Sequence, residues 1–294
     1  MIHKPVLVKE VLEYLDPKEN ENFIDATVGG AGHAIEILRK NGPSGRLLGI
    51  DLDKDQIENS RLSLSDFNER IVLVHDSYSN IKEVVKNVNL RPVDGILLDL
   101  GFSSWHLEEA GRGFSFQKDE ELDMRYNNKN GLTAQIIVNE YPEEKIEEIL
   151  RNFGEEKFAR QIAKKIIDQR KFKKISSTFE LKNIIQEAIS KKFHYGKIHF
   201  ATRTFQALRI AVNKELDNLN EFLPQSIEIL SKGGRLAIIS FHSLEDRIVK
   251  HFLKEAEDSG HIKILTKKPI IASDKEILTN PRARSAKLRA IIKI

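Results

Sequence analysis

The sequence predicts an α/β fold, in which a mostly parallel sheet is covered by helices on both faces and interrupted by an all-helical insert. Short, continuously apolar runs alternate with stretches of helical periodicity, as in strands buried on both faces and the helices that connect them. A glycine-rich turn follows the first of these runs, as in many α/β ligand sites. Strand-like runs then stop near Leu107 and resume only beyond Arg203, and this gap predicts the insert.

Strands and helices alternate along the predicted sheet domain. The predicted strands are 23–27, 46–51, 70–75, 93–100, 234–241, 262–265 and 288–294. The predicted helices are 34–40, 54–64, 78–87, 143–152, 155–171, 178–192 and Phe205 to about Leu230. The domain prediction is therefore a sheet domain made of 1–106 and 204–294, with the helical insert at 107–203.

The composition excludes several classes of protein. The chain has 294 residues, of which 40% are hydrophobic and 31% charged, and it contains no cysteine. It can bury a sizeable core, whereas disulfide scaffolds, zinc ribbons, iron–sulfur clusters and thiol nucleophiles are excluded. No apolar run approaches the ~18 residues that span a bilayer, and the first residues lack the apolar core of a signal peptide. These features predict a cytoplasmic enzyme or binding protein with no membrane partner.

The net charge of +3 conceals a polarised insert. Residues 108–156 contain 13 acidic and 6 basic side chains, a balance of −7, whereas residues 157–203 contain 13 basic and 3 acidic ones, a balance of +10. Among these cations lie the aromatic residues Phe172, Phe193, Tyr195 and Phe200. The pattern predicts phosphate contacts, extended by the basic residues from Arg282 to Lys293, and stacking on unpaired bases. The alternatives are a solvated helix face and aromatic side chains that belong to the core.

The string DATVGGAGH, from Asp25 to His33, predicts a nucleotide-cofactor site. Its glycines are Gly29, Gly30 and Gly32. Between a strand and a helix, glycine lets the backbone approach a ligand closely. Asp51 closes the second strand, 22 residues after Gly29, and from there its carboxylate can accept hydrogen bonds from ribose hydroxyls. The alternative is a structural turn followed by a helix-capping aspartate.

The spacing of the glycines favours S-adenosylmethionine over a dinucleotide. A dinucleotide site requires G-x-G-x-x-G, so that the pyrophosphate meets the helix N-terminus, but the glycines here follow G-G-x-G. S-adenosylmethionine has no phosphate and carries an ammonium group, which suits Asp25 beside the loop. Asp25 could instead hold the loop by accepting backbone hydrogen bonds, and His33 could contact the cofactor or cap the helix.

Polar residues end the fourth and fifth strands, at the edge where ligands of open α/β sheets bind. The string ILLDLGFSS places Asp99, Ser103 and Ser104 at that edge, and ISFHSLEDR adds His242. A carboxylate that follows an apolar strand is costly to bury without a partner, so Asp99 is a functional candidate, with a helix cap as the alternative. His242 is a base, a hydrogen-bond donor or a structural histidine. The sequence has no recognisable metal-binding motif, and it lacks the G-x-S-x-G of a Ser–His–Asp hydrolase.

Eight strings of the sequence together resemble the bacterial ribosomal RNA cytosine N4-methyltransferase family (MraW/RsmH). They are DATVGGAGH, LLGIDLD, ILLDLGFSS, RGFSF, LDMR, ATRTFQALRIAVNKEL, ISFHSLEDRIVK and NPRARSAKLR. The resemblance extends from Lys4 to Arg289 and implies a class I methyltransferase fold, which is Rossmann-like. The cofactor contacts that it implies are Ala31-Gly32-His33, Asp51, Tyr78, Asp99 and His106. Ala31 and Tyr78 depart from the glycine and the phenylalanine that are common in the family, although Tyr78 keeps an aromatic face for the adenine.

The resemblance implies methyl transfer from S-adenosylmethionine to the exocyclic N4 amine of a cytidine in the decoding region of small-subunit ribosomal RNA. The partner is then this RNA or the small ribosomal subunit, and the insert is the predicted RNA-recognition domain of a monomer or weak homodimer. Asp99 is expected between cofactor and base, with Ser103, Ser104 and His242 in polar contact. Many amino-methyltransferases have Pro-Pro-aromatic after the acidic or amide residue, whereas Leu-Gly-Phe follows Asp99 here. The alternatives are a nicotinamide-dependent oxidoreductase and a non-catalytic RNA-binding or ribosome-assembly factor.

Overall fold

The structure is a computed structural model that describes residues 5–101, 104–108, 110–194, 196 and 198–294. The chain forms two compact units. The first comprises the residues up to Gly101 together with Leu216–Ile294, and the second comprises Phe102–Glu215. The predicted insert, 107–203, lies within the second unit, which extends beyond it at both ends.

Both units contain helices, whereas the strands all belong to the first. The helices are α1 Val8–Leu15, α2 Gly32–Lys40, α3 Lys54–Ser63, α4 Ile81–Val88, α5 Ser104–Glu108, α6 Ala134–Glu140, α7 Glu143–Gly154, α8 Ala159–Arg170, α9 Thr178–Ala188, α10 Thr202–Asn213, α11 Glu215–Ile229, α12 Ser243–Asp258 and α13 Asp274–Thr279. The strands are β1 Phe23–Asp25, β2 Leu47–Asp51, β3 Ile71–His75, β4 Gly95–Asp99, β5 Arg235–Ser240, β6 Ile262–Ile264, β7 Ile270–Ile271 and β8 Lys287–Lys293. In the described part of the second unit, the strand-like pairing is an isolated bridge between Glu121 and Ser177.

The sheet has the strand order β3-β2-β1-β4-β5-β8-β6, and β7 pairs with β8. Strands β1 to β5 are parallel to one another, whereas β8 runs antiparallel to β5, β6 and β7. This confirms the predicted mostly parallel α/β sheet. The order of the strands reverses at β1: β2 and β3 follow one another on one side of it, and β4 and β5 on the other. In an open α/β sheet, such a switch point forms a crevice for ligands at the carboxyl ends of the strands.

Alternate residues of the parallel strands enter two different cores. Phe23 and Leu97 pack with residues of α1 and α2 on one face. Ile24 and Ile96 pack with residues of α4, α11 and α12 on the other face. Side chains of a strand alternate between faces, so both faces of the sheet must be covered if the strands are continuously apolar. The apolar runs of the sequence therefore predicted this layered arrangement correctly.

The predicted helix from Phe205 to about Leu230 is wrong as a single element. Helix α10 ends at Asn213, and α11 begins at Glu215. Lys214 between them has a φ of 51°, in the left-handed region that commonly ends a helix. Glycine or asparagine usually marks such a position, so a lysine gave no signal of the break. The sequence reasoning also missed α1, α5, α6, α13 and the two-residue strand β7.

The basic residues of β8 are engaged inside the first unit. The Arg289 guanidinium lies 2.7 Å from the Asp246 carboxylate on α12, and the Lys287 ammonium lies 3.2 Å from the same carboxylate. The Lys293 ammonium donates hydrogen bonds to carbonyls at the end of α11. These charges hold the strand to two helices, and phosphate contacts of the basic residues from Arg282 to Lys293 stay a prediction.

A buried polar network joins α10 to the loop before α6 in the second unit. Arg209 and Glu215 form a bidentate ion pair with two N–O distances of 2.8 Å. The Asn213 amide donates to the Met124 carbonyl and accepts the Tyr126 N–H. Buried polar groups of this kind require partners, and here they find them. The strings LDMR and RIAVNKEL therefore carry structural residues of the second unit.

Candidate cofactor-binding and catalytic site

Three aspartates end parallel strands on one face of the sheet. Asp25 ends β1, Asp51 ends β2 and Asp99 ends β4. On each strand, an apolar residue two or four positions before the aspartate belongs to the core that packs against α1 and α2. Because successive side chains of a strand alternate between the faces of the sheet, all three carboxylates project from the face that carries this core. Helix α2 brings His33, which is buried, to the same place. The sheet edge thus gathers three acids and one histidine at the switch point between β1 and β4.

Hydrogen bonds fix the loop between β1 and α2. The Gly29 N–H donates to Oδ2 of Asp51 over 2.9 Å, and the Ser60 hydroxyl donates to the Gly29 carbonyl. Gly29 has a φ of 47° and Ala31 a φ of 65°, so both occupy the left-handed region. Ala31 is an L-residue in that conformation, which costs about 1–2 kcal/mol. Such local strain is often found where a backbone is shaped for a ligand.

The other two glycines of the loop differ in their surroundings. Gly30 is partly exposed between Gly29 and Ala31. Gly32 begins α2, and a Cβ atom there would lie 2.8 Å from the Pro5 ring. Any larger residue at that position would push the N-terminal segment away from the loop.

Asp51 and Asp53 have different roles: one caps a helix, and the other holds the glycine loop. Asp53 caps α3, because its side chain accepts the N–H of Asp55 over 3.0 Å. Asp51 accepts the Gly29 N–H with one carboxylate oxygen and the Asp53 N–H with the other. These two bonds fix the orientation of the Asp51 carboxylate at the end of β2.

Asp25 is buried beneath the loop. Burial raises the pKa of its carboxyl from 3.8 to about 7, while the nearby His33 and a hydrogen bond from the Thr27 N–H act in the opposite direction. That N–H lies 3.2 Å from Oδ1 of Asp25, so the carboxyl does hold the loop. A cationic group beside Asp25 would favour its charged form.

His33 and Asp99 face one another in the buried part of the site. Nε2 of His33 lies 3.6 Å from Oδ2 of Asp99, within ion-pair range but beyond a normal hydrogen bond. Burial would lower the pKa of His33, but Asp99 above all, and then Asp25, raise it above its usual value. The Asp99 N–H is held by the hydroxyl oxygen of Thr27 over 2.8 Å. The β1 loop thereby fixes the end of β4.

The polar atoms at this edge fit S-adenosylmethionine. Both ring nitrogens of His33 and Oδ1 of Asp99 are buried and lack a hydrogen-bond partner in the protein. Such atoms cost about 1–3 kcal/mol each, which a polar ligand recovers by bonding to them. The neighbouring carboxylates suit the ammonium group and ribose hydroxyls of this cofactor. The residues present therefore match the donors and acceptors that it requires.

Tyr78 lies just beyond the end of β3, in the 3-10 helix Tyr78–Asn80. Its ring meets the edge of Phe222 on α11 at a centroid distance of 5.6 Å and an interplanar angle of 88°. This contact fixes the plane of the tyrosine ring at the carboxyl edge of the sheet.

His242 follows β5 and caps α12. Its Nδ1 accepts the Glu245 N–H over 3.4 Å, and the Glu245 carboxylate accepts the N–H groups of Phe241 and His242 in return. Nε2 of His242 lies 3.1 Å from the Glu245 carboxylate, without the alignment of a hydrogen bond. Because Nδ1 accepts, it carries no proton in this arrangement. His242 therefore has a structural role as the cap of α12, and its contact with the target base stays a prediction.

The remaining predicted residues belong to the second unit or lie outside the described residues. His106, on α5, is buried, and its ring lies 5.1 Å from the rings of Phe114 and Tyr126. Ser103 is outside the described residues. Ser104 begins α5, and its side chain is likewise outside them.

Sequence reasoning missed residues that position the site. Thr27 lies within the DATVGGAGH string, but nothing in its type showed that its hydroxyl would hold the Asp99 N–H. Gln56, on α3, is buried beside Gly29, and its side-chain nitrogen has no partner. Glu245, within the ISFHSLEDR string, is buried against His242, which the string does not show. These roles depend on contacts between distant segments, which no local string displays.

Comparison with known proteins identifies the family. The model of the MraW methylase family matches residues 1–294. This chain belongs to the MraW methylase family. The protein named ribosomal RNA small subunit methyltransferase H of Clostridium botulinum (strain Kyoto / Type A2) is 46% identical over 307 residues, covering 99% of both chains. The protein of the same name from Sulfurihydrogenibium sp. is 47% identical over 287 residues, covering 98% of this chain and 97% of its own.

Solved structures of other proteins share the fold. SMU.1697c of Streptococcus mutans, solved in complex with SAH, has a TM-score of 0.50 and 14% identity, with full coverage of both chains. A candidate rRNA-methylase of Clostridium thermocellum has a TM-score of 0.50 and 15% identity, with 99% coverage of both chains. The predicted class I methyltransferase fold is confirmed.

Membership of the MraW methylase family also confirms the predicted enzyme class. The chain is an S-adenosylmethionine-dependent methyltransferase, and its strings match that family along the whole chain. The oxidoreductase alternative is thereby excluded. No helix in the described part of the chain is long and apolar enough to cross a membrane.

Proposed function

We propose that this protein methylates the N4 amine of a cytidine in the decoding region of small-subunit ribosomal RNA. One observation carries the proposal: buried, unpartnered polar atoms of His33 and Asp99 lie beside the glycine loop of a methylase-family chain. The name shared by its relatives supports the small-subunit RNA as substrate. The resemblance of the strings around Asp99 and His242 supports the cytidine amine. We expect the reaction in the cytoplasm, from a monomer or weak homodimer.

The cofactor-binding part of the proposal rests on the first unit. Asp51, oriented by two backbone N–H groups, accepts hydrogen bonds from the ribose hydroxyls. Asp25 complements the ammonium group, and the loop from Gly29 to His33 lies along the cofactor. Tyr78 offers its ring to the adenine. His106 of the second unit is a further contact implied by the resemblance.

Asp99 is the centre of the proposed chemistry. S-adenosylmethionine supplies, when bound, a sulfonium methyl group that an amine nitrogen can attack. The cytosine amine is a weak nucleophile, because its lone pair is delocalised into the ring. Oδ1 of Asp99 accepts a hydrogen bond from this amine and takes up the proton that the nitrogen releases as it gains the methyl group. His33, 3.6 Å from the other carboxylate oxygen, stabilises the charge of Asp99 in its acceptor state.

Positioning of the amine nitrogen and the methyl group contributes much of the rate enhancement in this proposal. Holding the nitrogen in line with the methyl group removes most of the entropic cost of their encounter, and proton transfer to a carboxylate adds to it. Ser103, Ser104 and His242 hold the edge of the base. The target base must leave its stack or be unpaired already, because the reacting amine is otherwise occupied by pairing.

The proposal is tested with the purified protein and methyl-labelled S-adenosylmethionine. Small subunits, naked small-subunit RNA, large-subunit RNA and DNA are offered in parallel. We expect label in small-subunit RNA, as the free RNA or in the subunit, and not in the other two. Asp99→Ala should lower kcat by at least about 100-fold, because it removes both the proton acceptor and a positioning contact.

Asp66→Ala is the matched control, since Asp66 is an exposed aspartate of the 3-10 helix Ser65–Phe67. It should leave kcat unchanged. Transfer to none of the four substrates would leave a non-catalytic RNA-binding factor as the better description. Full activity of Asp99→Ala would remove Asp99 from the chemistry.

A further inference from the structure

Exposed phenylalanine side chains are concentrated in one stretch of the second unit. The structure describes every phenylalanine of the chain except Phe102, and those that are exposed are Phe172, Phe179 and Phe193. All three lie within residues 157–203, the stretch with a charge balance of +10. Single exposed apolar residues are common, but their confinement to the most basic stretch of the chain is not explained by folding.

These side chains lie on an antiparallel hairpin formed by α8 and α9, which we call the basic hairpin (residues 157–193). The Phe158 ring before α8 lies 5.0 Å from the Phe193 ring after α9. Further along, the Lys165 ammonium on α8 lies 2.8 Å from the Glu187 carboxylate on α9. The hairpin therefore carries Phe193 at its open end and Phe172 at its turn.

An ordered turn presents Phe172 to solvent. The N–H groups of Phe172 and Lys173 both donate to the Gln169 carbonyl, and the Arg170 guanidinium donates to the carbonyls of Val138 and Tyr141. Residue 175 is tied down as well, through hydrogen bonds between its backbone and the Asn139 amide. Phe172 is nevertheless 87% exposed. Because the backbone around it is fixed, the ring is available for stacking at little additional cost in conformational entropy.

A second aromatic ring is exposed at the other end. Phe193 is 47% exposed, and the Lys192 ammonium lies 5.0 Å from the centre of its ring. Lysine beside an aromatic ring supports both stacking on a base and contact with its phosphate. Phe200, which the sequence also suggested, is half-buried against His194 and His199 and is less accessible.

The basic hairpin retains an excess of positive charge after its own ion pairs are formed. Each acidic residue of 157–203 pairs with a lysine: Asp168 with Lys171, Glu180 with Lys173 and Glu187 with Lys165. Within the hairpin, the exposed cations without an acidic partner in the described part of the chain are Lys157, Arg160, Lys164, Lys174, Lys191 and Lys192. Lys157 lies just before α8, and the spacing of four residues places Arg160 and Lys164 on one face of that helix.

We propose that the basic hairpin binds an unpaired RNA strand, with Phe172 and Phe193 each stacking on a base and the lysines and arginine contacting phosphates. This inference rests on the proposed function, because it says that the RNA substrate is unpaired where it contacts the hairpin. Charge excess favours a polyanion, and exposed rings favour a strand whose bases are accessible over a duplex.

The test measures RNA binding by fluorescence anisotropy with the full chain at one fixed salt concentration. The probes are a labelled 12-nucleotide RNA without self-pairing and a duplex RNA of the same length. We expect Phe172→Ala and Phe193→Ala each to weaken binding of the single strand roughly tenfold and to leave duplex binding unchanged, as loss of one stacked base predicts. Phe172→Trp should retain wild-type affinity, and Lys174→Glu should weaken binding of both probes.

Leu278→Ala is the matched control, because Leu278 is 83% exposed on α13 of the first unit. It should change neither affinity, and thermal unfolding checks that each variant is folded. Wild-type affinity of both alanine variants would overturn the proposal, as would an equal loss for single strand and duplex.

Methyl transfer separates failure of this inference from failure of the proposed function. With small subunits as substrate, Phe172→Ala should raise KM about tenfold and leave kcat unchanged. If the wild-type protein transfers no methyl group yet the alanine variants lose single-strand affinity, the proposed function fails and the binding surface stands. If the wild-type protein is active and the variants bind and react as it does, only the binding surface fails.

Discussion

Asp25 illustrates how a buried carboxyl of the candidate site opposes folding. Its carboxyl is buried, and its pKa rises from 3.8 to about 7 because burial disfavours the charged form. Between those values the unfolded chain has released the proton while the folded chain retains it. Stability from this group is therefore complete below pH 3.8 and is lost as the pH rises through about 7. The gain is a carboxylate already placed for a cationic ligand.

Replacement of Asp25 by asparagine isolates this effect. The free energy of unfolding of wild type relative to Asp25→Asn should fall as the pH rises from 5 to 7 and level off above that. Urea unfolding at a series of pH values measures the difference. Asp25→Asn should also bind S-adenosylmethionine less tightly, which calorimetry of the folded variant measures. Stability curves that run parallel from pH 5 to 8 would show that Asp25 is not the buried acid described here.

Residue identities were largely predictable at this site, but their partnerships were not. The acidic ends of β1, β2 and β4 can be recognised because each interrupts an apolar run in a repeating α/β pattern. The sequence could not show that Asp53 rather than Asp51 caps α3, or that Thr27 holds the end of β4. Both outcomes depend on how separate strands lie beside one another, which local composition does not encode.

At the scale of elements, the start of α12 has a cap whose residue is also a proposed contact of the target base. His242 caps the helix through Nδ1, and the proposed function adds a contact of its ring with the base. An N-cap requires only a side-chain acceptor, which asparagine supplies as well as histidine does. Substitution can therefore separate the cap from the imidazole.

His242→Asn should keep the free energy of unfolding within about 0.5 kcal/mol of wild type, whereas His242→Leu should lower it by about 1 kcal/mol through loss of the cap. Both variants lack the imidazole, so both should transfer methyl groups more slowly under the proposed function. Denaturant unfolding and single-turnover transfer on the same preparations measure the two effects. Wild-type transfer by the folded His242→Asn variant would leave the histidine with a structural role alone.

Elements with strong periodicity were predicted well, and those defined by tertiary contact were not. The positions of the apolar parallel strands and of α7 to α9 could be predicted from the spacing of their apolar residues, because burial on one or both faces imposes that spacing. The break at Lys214 and the two-residue strand β7 leave no such trace. Strand β8 was located correctly, but the sequence did not show that Lys287 and Arg289 pair with Asp246 on α12.

At the scale of the whole molecule, the proposed function assigns two tasks to the two units. The first unit carries the acidic edge and the glycine loop, and the second carries the basic hairpin. The net charge of +3 conceals the basic stretch 157–203, because acidic residues offset it, among them those of 108–156 in the same unit. Charge counted along the chain revealed this basic stretch, and the fold class followed from the order of elements.

The identity of the methylated nucleoside tests the central claim most directly. Small subunits are incubated with the protein and S-adenosylmethionine carrying a deuterated methyl group, and the RNA is digested to nucleosides for mass spectrometry. We expect labelled N4-methylcytidine, which disappears with Asp99→Ala and persists with Asp66→Ala. A label on C5 of cytidine, on another base or on ribose would contradict it.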